Sequence, residues 1–385
     1  MVYADFNGST PLSSDVCEYL VQRLQTGPYS NPNAIHSLGK KMMFGMEKCR
    51  RTLAKVLGCK SSQIIFNSGS SEGISHVFYS LCDDGPKDGK DIIVTSGIEH
   101  AAVVQCCELY ATKGYQIKTI KTLPSGIVDL ADYQKIITEC KDRICLVTVM
   151  AANNETGVIQ PFVEIGKIAQ DNGIIYFSDT TQYIGKTDFK FDQSNMDFAV
   201  SSSHKVGALI GSGLIIAKDL SLLRSHVLGG GQEKGLRGGT QNYIGIETMA
   251  VAMDSFDRNK ELLAKVRILR ENFEKNIKQN FPAAVIIGDD SPRLSSTTMI
   301  AYPGIHGQAV QIELESQDIF VTTSSACSDN KPETSRVLQA QGIKDDIGRG
   351  VVRISLCTNA NAELYSKIEV ALTQAYNKLK KLHSF

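Results

Sequence analysis

The chain has 385 residues, 42% of them hydrophobic and 21% charged, which is ordinary for a folded globular protein and too long for one small core. Its 41 lysines and arginines balance 41 aspartates and glutamates, so no bulk electrostatic case exists for nucleic acid or an anionic membrane as a direct partner. No run reaches the ~18 apolar residues of a membrane span, and Met1-Val-Tyr-Ala-Asp-Phe-Asn7 lacks the basic start and apolar centre of a signal peptide; a cytoplasmic location is expected.

Short apolar, β-rich runs alternate with helical patterns from about residue 60 to 220. Strands are expected over 64–68, 91–95, 116–121, 144–150, 174–179, 197–203 and 213–218, with amphipathic helices over 72–81, 101–113 and 161–172. Strands apolar nearly throughout, separated by helices, predict an α/β fold with a mainly parallel sheet covered on both faces. The interval from Lys205 to Gly213 is too short for a crossover helix, so the last strand is expected to be an antiparallel hairpin partner. A long helical pattern over 243–281 then leads into a second, α+β unit, with strands over 297–301, 320–323 and 351–356 and a closing helix over 362–382.

Ligands of such open sheets bind in the crevice beyond the strand carboxyl ends, where Ser68, Asn154, Asp179 and Lys205 all fall. A lysine and an aspartate on separate strand ends are the two groups a pyridoxal phosphate (PLP) site needs. The lysine forms a Schiff base, and the carboxylate keeps the pyridine nitrogen protonated so that the ring acts as an electron sink. The same residues could instead be a solvated lysine and a helix-capping aspartate.

The other motifs each carry a structural alternative. Asn67-Ser-Gly-Ser-Ser-Glu72 follows a strand and opens a helix, as a phosphate cradle does and as a plain helix cap does. His100, in Glu99-His-Ala-Ala, suits stacking or acid–base work and equally a helix start. Asn153-Asn-Glu-Thr-Gly157 offers amides for a carboxylate or phenolate, or a polar turn. Gly229-Gly-Gly-Gln-Glu-Lys-Gly-Leu-Arg-Gly-Gly-Thr240 is a loop whose Arg237 and Thr240 point to anion contact rather than to a plain linker. Arg353 lies on an apolar strand, where a fixed substrate carboxylate would be a natural bidentate partner.

Ten cysteines without a Cys-x-x-Cys pair are expected to be reduced thiols with no metal centre, most of them buried hydrophobes, as with Cys106-Cys107. Cys327 differs. Thr322-Thr-Ser-Ser-Ala-Cys-Ser-Asp329 is rich in small hydroxyl residues and predicts an exposed, mobile loop suited to a reactive thiol.

As a set, Ser9-Thr-Pro11, Asn67-Ser-Gly-Ser-Ser-Glu72, Glu99-His-Ala-Ala-Val103, Asn153-Asn-Glu-Thr-Gly-Val-Ile-Gln160, Asp179-Thr-Thr-Gln182, Ser202-Ser-His-Lys205, the glycine-rich loop and Ser324-Ser-Ala-Cys-Ser328 resemble the cysteine desulfurases. These are PLP enzymes of the class V aminotransferase family with the aspartate-aminotransferase-type fold. The resemblance runs from Tyr3 to the last helix and implies a large PLP-binding domain (13–250) with a seven-stranded mainly parallel sheet. It also implies a smaller α+β domain (1–12 and 251–385) carrying the active-cysteine loop, and a homodimer.

By the same resemblance Lys205 would carry PLP and move the substrate's α-proton, Asp179 would pair with the pyridine nitrogen, and Gln182 with the ring oxygen. His100 would stack on the ring and assist proton transfer. Ser70, Ser71, Ser202 and His204 would bind the phosphate, with Thr240 from the other subunit, and Asn154 and Arg353 would hold the substrate carboxylate. Cys327 would attack the sulfur of L-cysteine, leaving L-alanine and a persulfide for a sulfur-acceptor protein, an iron–sulfur scaffold or a relay toward thio-cofactors or tRNA. The loop around Cys327 looks like the long mobile form that delivers sulfur to an outside thiol.

Three departures stand out. Ser71 replaces a usual threonine. Val206-Gly-Ala-Leu-Ile-Gly-Ser-Gly213 replaces the usual Tyr-Gly-Pro run, and the C-terminus Leu382-His-Ser-Phe385 is short. A selenocysteine lyase, another class V lyase or transaminase, and a weakly active paralogue serving as a partner subunit are the alternatives.

Overall fold

A computed structural model describes residues 1–323 and 333–382; Cys327 lies outside the described residues. In chain order its elements are β1 (Val2–Tyr3), α1 (Ser14–Thr26), α2 (Ser37–Leu57), β2 (Ile64–Asn67), α3 (Ser70–Cys82), β3 (Ile92–Ser96), α4 (Ala101–Thr112), β4 (Gln116–Ile120), α5 (Leu130–Cys140) and β5 (Ile144–Thr148). There follow α6 (Phe162–Asp171), β6 (Ile175–Asp179), β7 (Phe198–Ser202), β8 (Gly213–Ala217), α7 (Tyr243–Asn259) and α8 (Leu262–Asn280). The chain closes with β9 (Val285–Ile286), β10 (Thr297–Ala301), α9 (Gly307–Glu315), β11 (Ile319–Phe320), α10 (Arg336–Ala340), α11 (Asp345–Gly348), β12 (Val351–Ser355) and α12 (Ala362–Leu382).

The seven expected strands form one sheet in the order β2-β8-β7-β6-β5-β3-β4. The pairs β3–β4, β3–β5, β5–β6 and β6–β7 are parallel, while β8 is antiparallel to both β7 and β2, as the short Lys205–Gly213 connection requires. Successive residues of every strand but the edge strand β4 enter different cores. Ile64, Ile92, Val147, Tyr176 and Ala199 pack with α1, α2, α5, α6 and α7, whereas Ile65, Ile93, Leu146, Phe177 and Val200 pack with α3 and α4. Burial on both faces is why these strands are apolar at consecutive positions.

A further core gathers Val2 and Ala4 with α8, α9, α12 and strands β10 to β12. Its antiparallel sheet runs β12-β10-β9, and β1 pairs with β11, so the first residues of the chain lie beside its last third. The single helical run expected over 243–281 is in fact two helices, α7 and α8, separated at Lys260 and Glu261. Only α7 packs on the large sheet's core, whereas α8 packs on α12, so the packing partner changes at that break.

The glycine-rich loop is pinned rather than free. Glu233, with φ of 47°, is buried and takes Arg50 on both oxygens (2.8 and 2.9 Å) as well as the Phe66 N–H (2.9 Å). Arg50→Met would leave that carboxylate buried without its cation. It is expected to lower stability by about 3–5 kcal/mol, read as a lower urea midpoint with an unchanged slope.

Candidate active site

The carboxyl ends of β3, β5, β6 and β7 open onto a cleft of about 410 Å³, closed from the opposite side by Asn7, Gly8 and Arg353. Ser70, Ser71, His100, Asn154, Asp179, Gln182, Ser202, His204 and Lys205 all line it. Thr240 is exposed on its loop and does not line the cleft of its own chain.

At one end, α3 points its first turn into the cleft from Gly69, at φ 150°, and no side chain caps that turn. A Cβ on Gly69 would come 3.2 Å from the Ser202 hydroxyl, and one on Gly213 would lie 2.6 Å from the Gly69 Cα. The strand end, the helix start and β8 therefore meet as bare backbone, and the Ser70 and Ser202 side chains are buried beside them. Uncapped helical N–H groups with hydroxyl donors around a glycine make a cradle that fits a phosphate. Glu72 accepts from the Ser68 N–H and is bound by Arg237 (2.8 and 3.1 Å). The anion contact expected of Arg237 is thus a carboxylate of this chain, because one turn of α3 brings Glu72 under the loop.

In the middle of the cleft, Asp179 ends β6. Its Oδ1 accepts the Thr181 N–H (3.0 Å) and the Thr181 hydroxyl, which leaves Oδ2 able to face a donor in the cleft. The Thr181 hydroxyl also meets the Ser70 hydroxyl at 2.6 Å. Lys205 donates to the backbone carbonyls of Asn7 (2.8 Å) and Gly8. Burial, reinforced by the Arg353 charge, lowers its amine to about 8. A lysine at the end of one strand, an aspartate at the end of the next and a phosphate cradle beside both fit PLP, with Lys205 to bind it, Asp179 to face its ring nitrogen and Ser70, Ser71 and Ser202 at its phosphate.

His204 is pushed down to about 4 by burial and by the nearby Lys205 and Lys186, and its Nδ1 lies 3.2 Å from the Ser9 hydroxyl. His100 caps α4, its Nδ1 accepting the Ala102 N–H (3.1 Å), and it also lines the cleft. The preceding Glu99 is fully buried. It accepts from the Ser96 hydroxyl (2.5 Å) and the Met150 N–H (3.0 Å), and burial lifts its carboxyl to about 8.

At the far end the paired amides divide the two readings between them. Asn153 is the turn former, its Oδ1 accepting the Glu155 and Thr156 N–H groups (2.9 Å each), whereas Asn154 lines the cleft. Gly157, at φ 74°, would set a Cβ 2.9 Å from Thr297. Arg353 is 2% exposed, donating to the Asn154 carbonyl (2.9 Å) and to Asp5 (2.6 Å) while its Nε has no partner. Where a carboxylate from outside was foreseen, the chain thus supplies two partners of its own, and free N–H capacity remains. Val206 to Gly213 forms a loop that puts Ile210, 78% exposed, on the cleft rim.

Sequence reasoning missed Asp5, Asn7, Gly8 and Lys186. Asn7 joins the two cores through its N–H on Ser355, its carbonyl on Gln182 and Lys205, and its side chain on Asn154, Lys186 and Thr297.

Residues 2–364 match the family model "Aminotransferase class-V". The chain is 33% identical over 356 residues to the cysteine desulfurase of Enterobacter agglomerans, covering 92% of this chain and 87% of that one. A solved NifS-like protein superposes with a TM-score of 0.89 at 31% identity, covering 98% of this chain and all of its own. SspA, solved in complex with cysteine, matches with a TM-score of 0.81 at 27% identity over 94% of this chain and 100% of that one.

An unfolded lysine titrates at its ordinary 10.5 and Lys205 at about 8, so the unfolded chain binds more protons between those values and stability rises with pH across that window. Below pH 8 the cost of the buried ammonium is fully present. In ligand-free protein Lys205→Met is expected to be more stable than the parent at pH 7 by about 1–3 kcal/mol, with the gain shrinking toward pH 10.5. Urea midpoints of both proteins at pH 7, 8.5 and 10 check this.

Proposed function

The chain belongs to the aminotransferase class-V family and, within it, to the cysteine desulfurases, and we propose that it uses PLP to convert L-cysteine to L-alanine, passing the sulfur through a persulfide on Cys327. Members of this family are PLP enzymes. The observation that carries the reading is the convergence of Lys205, Asp179 and Arg353 on one cleft beside the uncapped start of α3.

When bound, PLP supplies the electron sink that stabilises the carbanion left by the substrate's α-proton. Lys205 Nζ carries that proton; the burial and the Arg353 charge that lower its amine in the ligand-free protein favour the neutral form that can accept it. Asp179 Oδ2 holds a ring N–H. Gln182 Nε2 has one N–H on the Asn7 carbonyl (2.9 Å) and a second to give to the ring oxygen. His100 stacks over the ring and assists proton transfer. Ser70, Ser71, Ser202 and the neutral His204 hold the phosphate, and Thr240 reaches the phosphate of a second copy in a homodimer.

Asn154 and Arg353 fix the substrate carboxylate, which turns the thiol of L-cysteine toward the cleft mouth. The Cys327 thiolate attacks that sulfur: an S–S bond forms, the C–S bond breaks, and the electron pair left on carbon takes a proton to give alanine. The persulfide then passes to a thiol of an acceptor protein. The solved complex of the related SspA with cysteine supports L-cysteine as the substrate class. The nine cysteines among the described residues are all free thiols, which supports a reducing, cytoplasmic setting.

Alanine release from L-cysteine, with a thiol reductant present, tests the reading. The parent protein is expected to turn over, and Cys327→Ala to lose at least about a hundredfold, as when a covalent nucleophile is removed. Equal release by both would sink the role of Cys327. Arg353→Lys keeps the charge but loses the fork, and is expected to raise KM for L-cysteine about tenfold with a smaller change in kcat.

A further inference from the structure

We propose that Lys186 is a positioning residue that fixes, from outside the cleft, which way the amides of Gln182 and Asn7 face. Lys186 is fully buried and does not line the cofactor cleft. Its Nζ donates to Gln182 Oε1 (2.5 Å) and to Asn7 Oδ1 (2.6 Å). A side-chain amide has one oxygen that accepts and one nitrogen that donates. An ammonium cannot accept, so both oxygens must turn to Lys186 and both NH₂ groups must turn away.

The two consequences fall on opposite ends of the site. Gln182 Nε2 gives one hydrogen to the Asn7 carbonyl and must present the other to the cleft, so whatever oxygen lies there meets a donor. Asn7 Nδ2 gives its hydrogens to the Asn154 carbonyl (3.2 Å) and the Thr297 hydroxyl (3.1 Å), and that same Asn154 carbonyl holds Arg353. One buried amine thereby sets the donor pattern at the cofactor ring and steadies the arginine at the substrate end.

Burial, then the charges of Lys205 and Arg353, hold Lys186 well below the ordinary lysine range, with Asp5 opposing. A neutral amine keeps two N–H groups, one for each oxygen, but gains a lone pair able to accept, so the orientation is enforced most strictly while Lys186 is protonated.

The inference rests on the reading of Gln182 as donor to the ring oxygen of PLP, and a double-mutant cycle separates the two. Wild type, Lys186→Met, Gln182→Leu and the double variant are loaded with PLP, and the pH midpoint of the visible cofactor band is measured. PLP affinity of the ligand-free forms is measured alongside. Losing a donor to the ring oxygen leaves that oxygen to stabilise the protonated Schiff base, so each single variant is expected to raise the midpoint by about one pH unit and weaken PLP about tenfold. The double variant is expected to match Gln182→Leu rather than sum the two effects.

Additive shifts, or an unchanged midpoint in Lys186→Met beside a shifted Gln182→Leu, would overturn the role of Lys186 alone. An unchanged midpoint in Gln182→Leu would overturn the ring-oxygen contact itself and this inference with it. If Lys186→Met does not fold, Lys186→Leu, which likewise donates nothing, is expected to move the midpoint the same way, and its failure to do so counts against the proposal equally.

Discussion

The hydrogen bonds of Asn7 hold the site together. Its backbone and side chain reach Gln182, Lys186, Lys205 and Asn154 on the large sheet's side, and Ser355 and Thr297 on the side of the smaller antiparallel sheet. Those partners are 147 to 348 residues away along the chain. What brings them together is β1: pairing with β11 threads the first residues through the crevice between the two cores. The cleft is therefore the joint between two hydrophobic cores, built so that each contributes one wall. Displacing the N-terminal segment would free Lys205, loosen Arg353 and open the joint at once.

Charge explains why that joint suits anions. Lys186, Lys205 and Arg353 crowd around Asn7, opposed there by Asp5 and Asp179, while Glu99 at about 8 is mostly neutral at pH 7. Burial and mutual repulsion disfavour the cations, which is why the two lysines titrate low. An anion entering the cleft relieves that repulsion, so binding of a phosphate or carboxylate should raise the proton affinity of both amines. His204, kept neutral, gives the cleft a polar side chain without adding another cation.

Much of this was legible in the sequence, for a definite reason. Strands buried on both faces must be apolar at consecutive positions, and residues just past their ends must be polar to face a ligand. The order of Ser68, Asn154, Asp179 and Lys205 followed from those two constraints. Lys186 was invisible because a buried lysine looks like a solvated one until its partners are known. The anion that Arg237 meets could not be named from the sequence because Glu72 lies 165 residues away along the chain. The break between α7 and α8 was hidden for another reason: residues 260 and 261 are good helix formers, and a change of packing partner leaves no mark in propensity.

The residues on either side of 324–332 are held at the cleft. Thr322 is tied to Arg353 by backbone hydrogen bonds in both directions (2.7 and 3.5 Å), so the last described residues before that segment sit beside the buried guanidinium. After that segment, Ser335 donates to Glu155 (2.6 Å) and Arg336 holds the carbonyls of Gly97 and Glu99, next to the motifs of Asn154 and His100. Both flanks are thus fixed on the walls of the cleft, one beside Arg353 on the smaller antiparallel sheet and the other beside the motifs that follow β5 and β3.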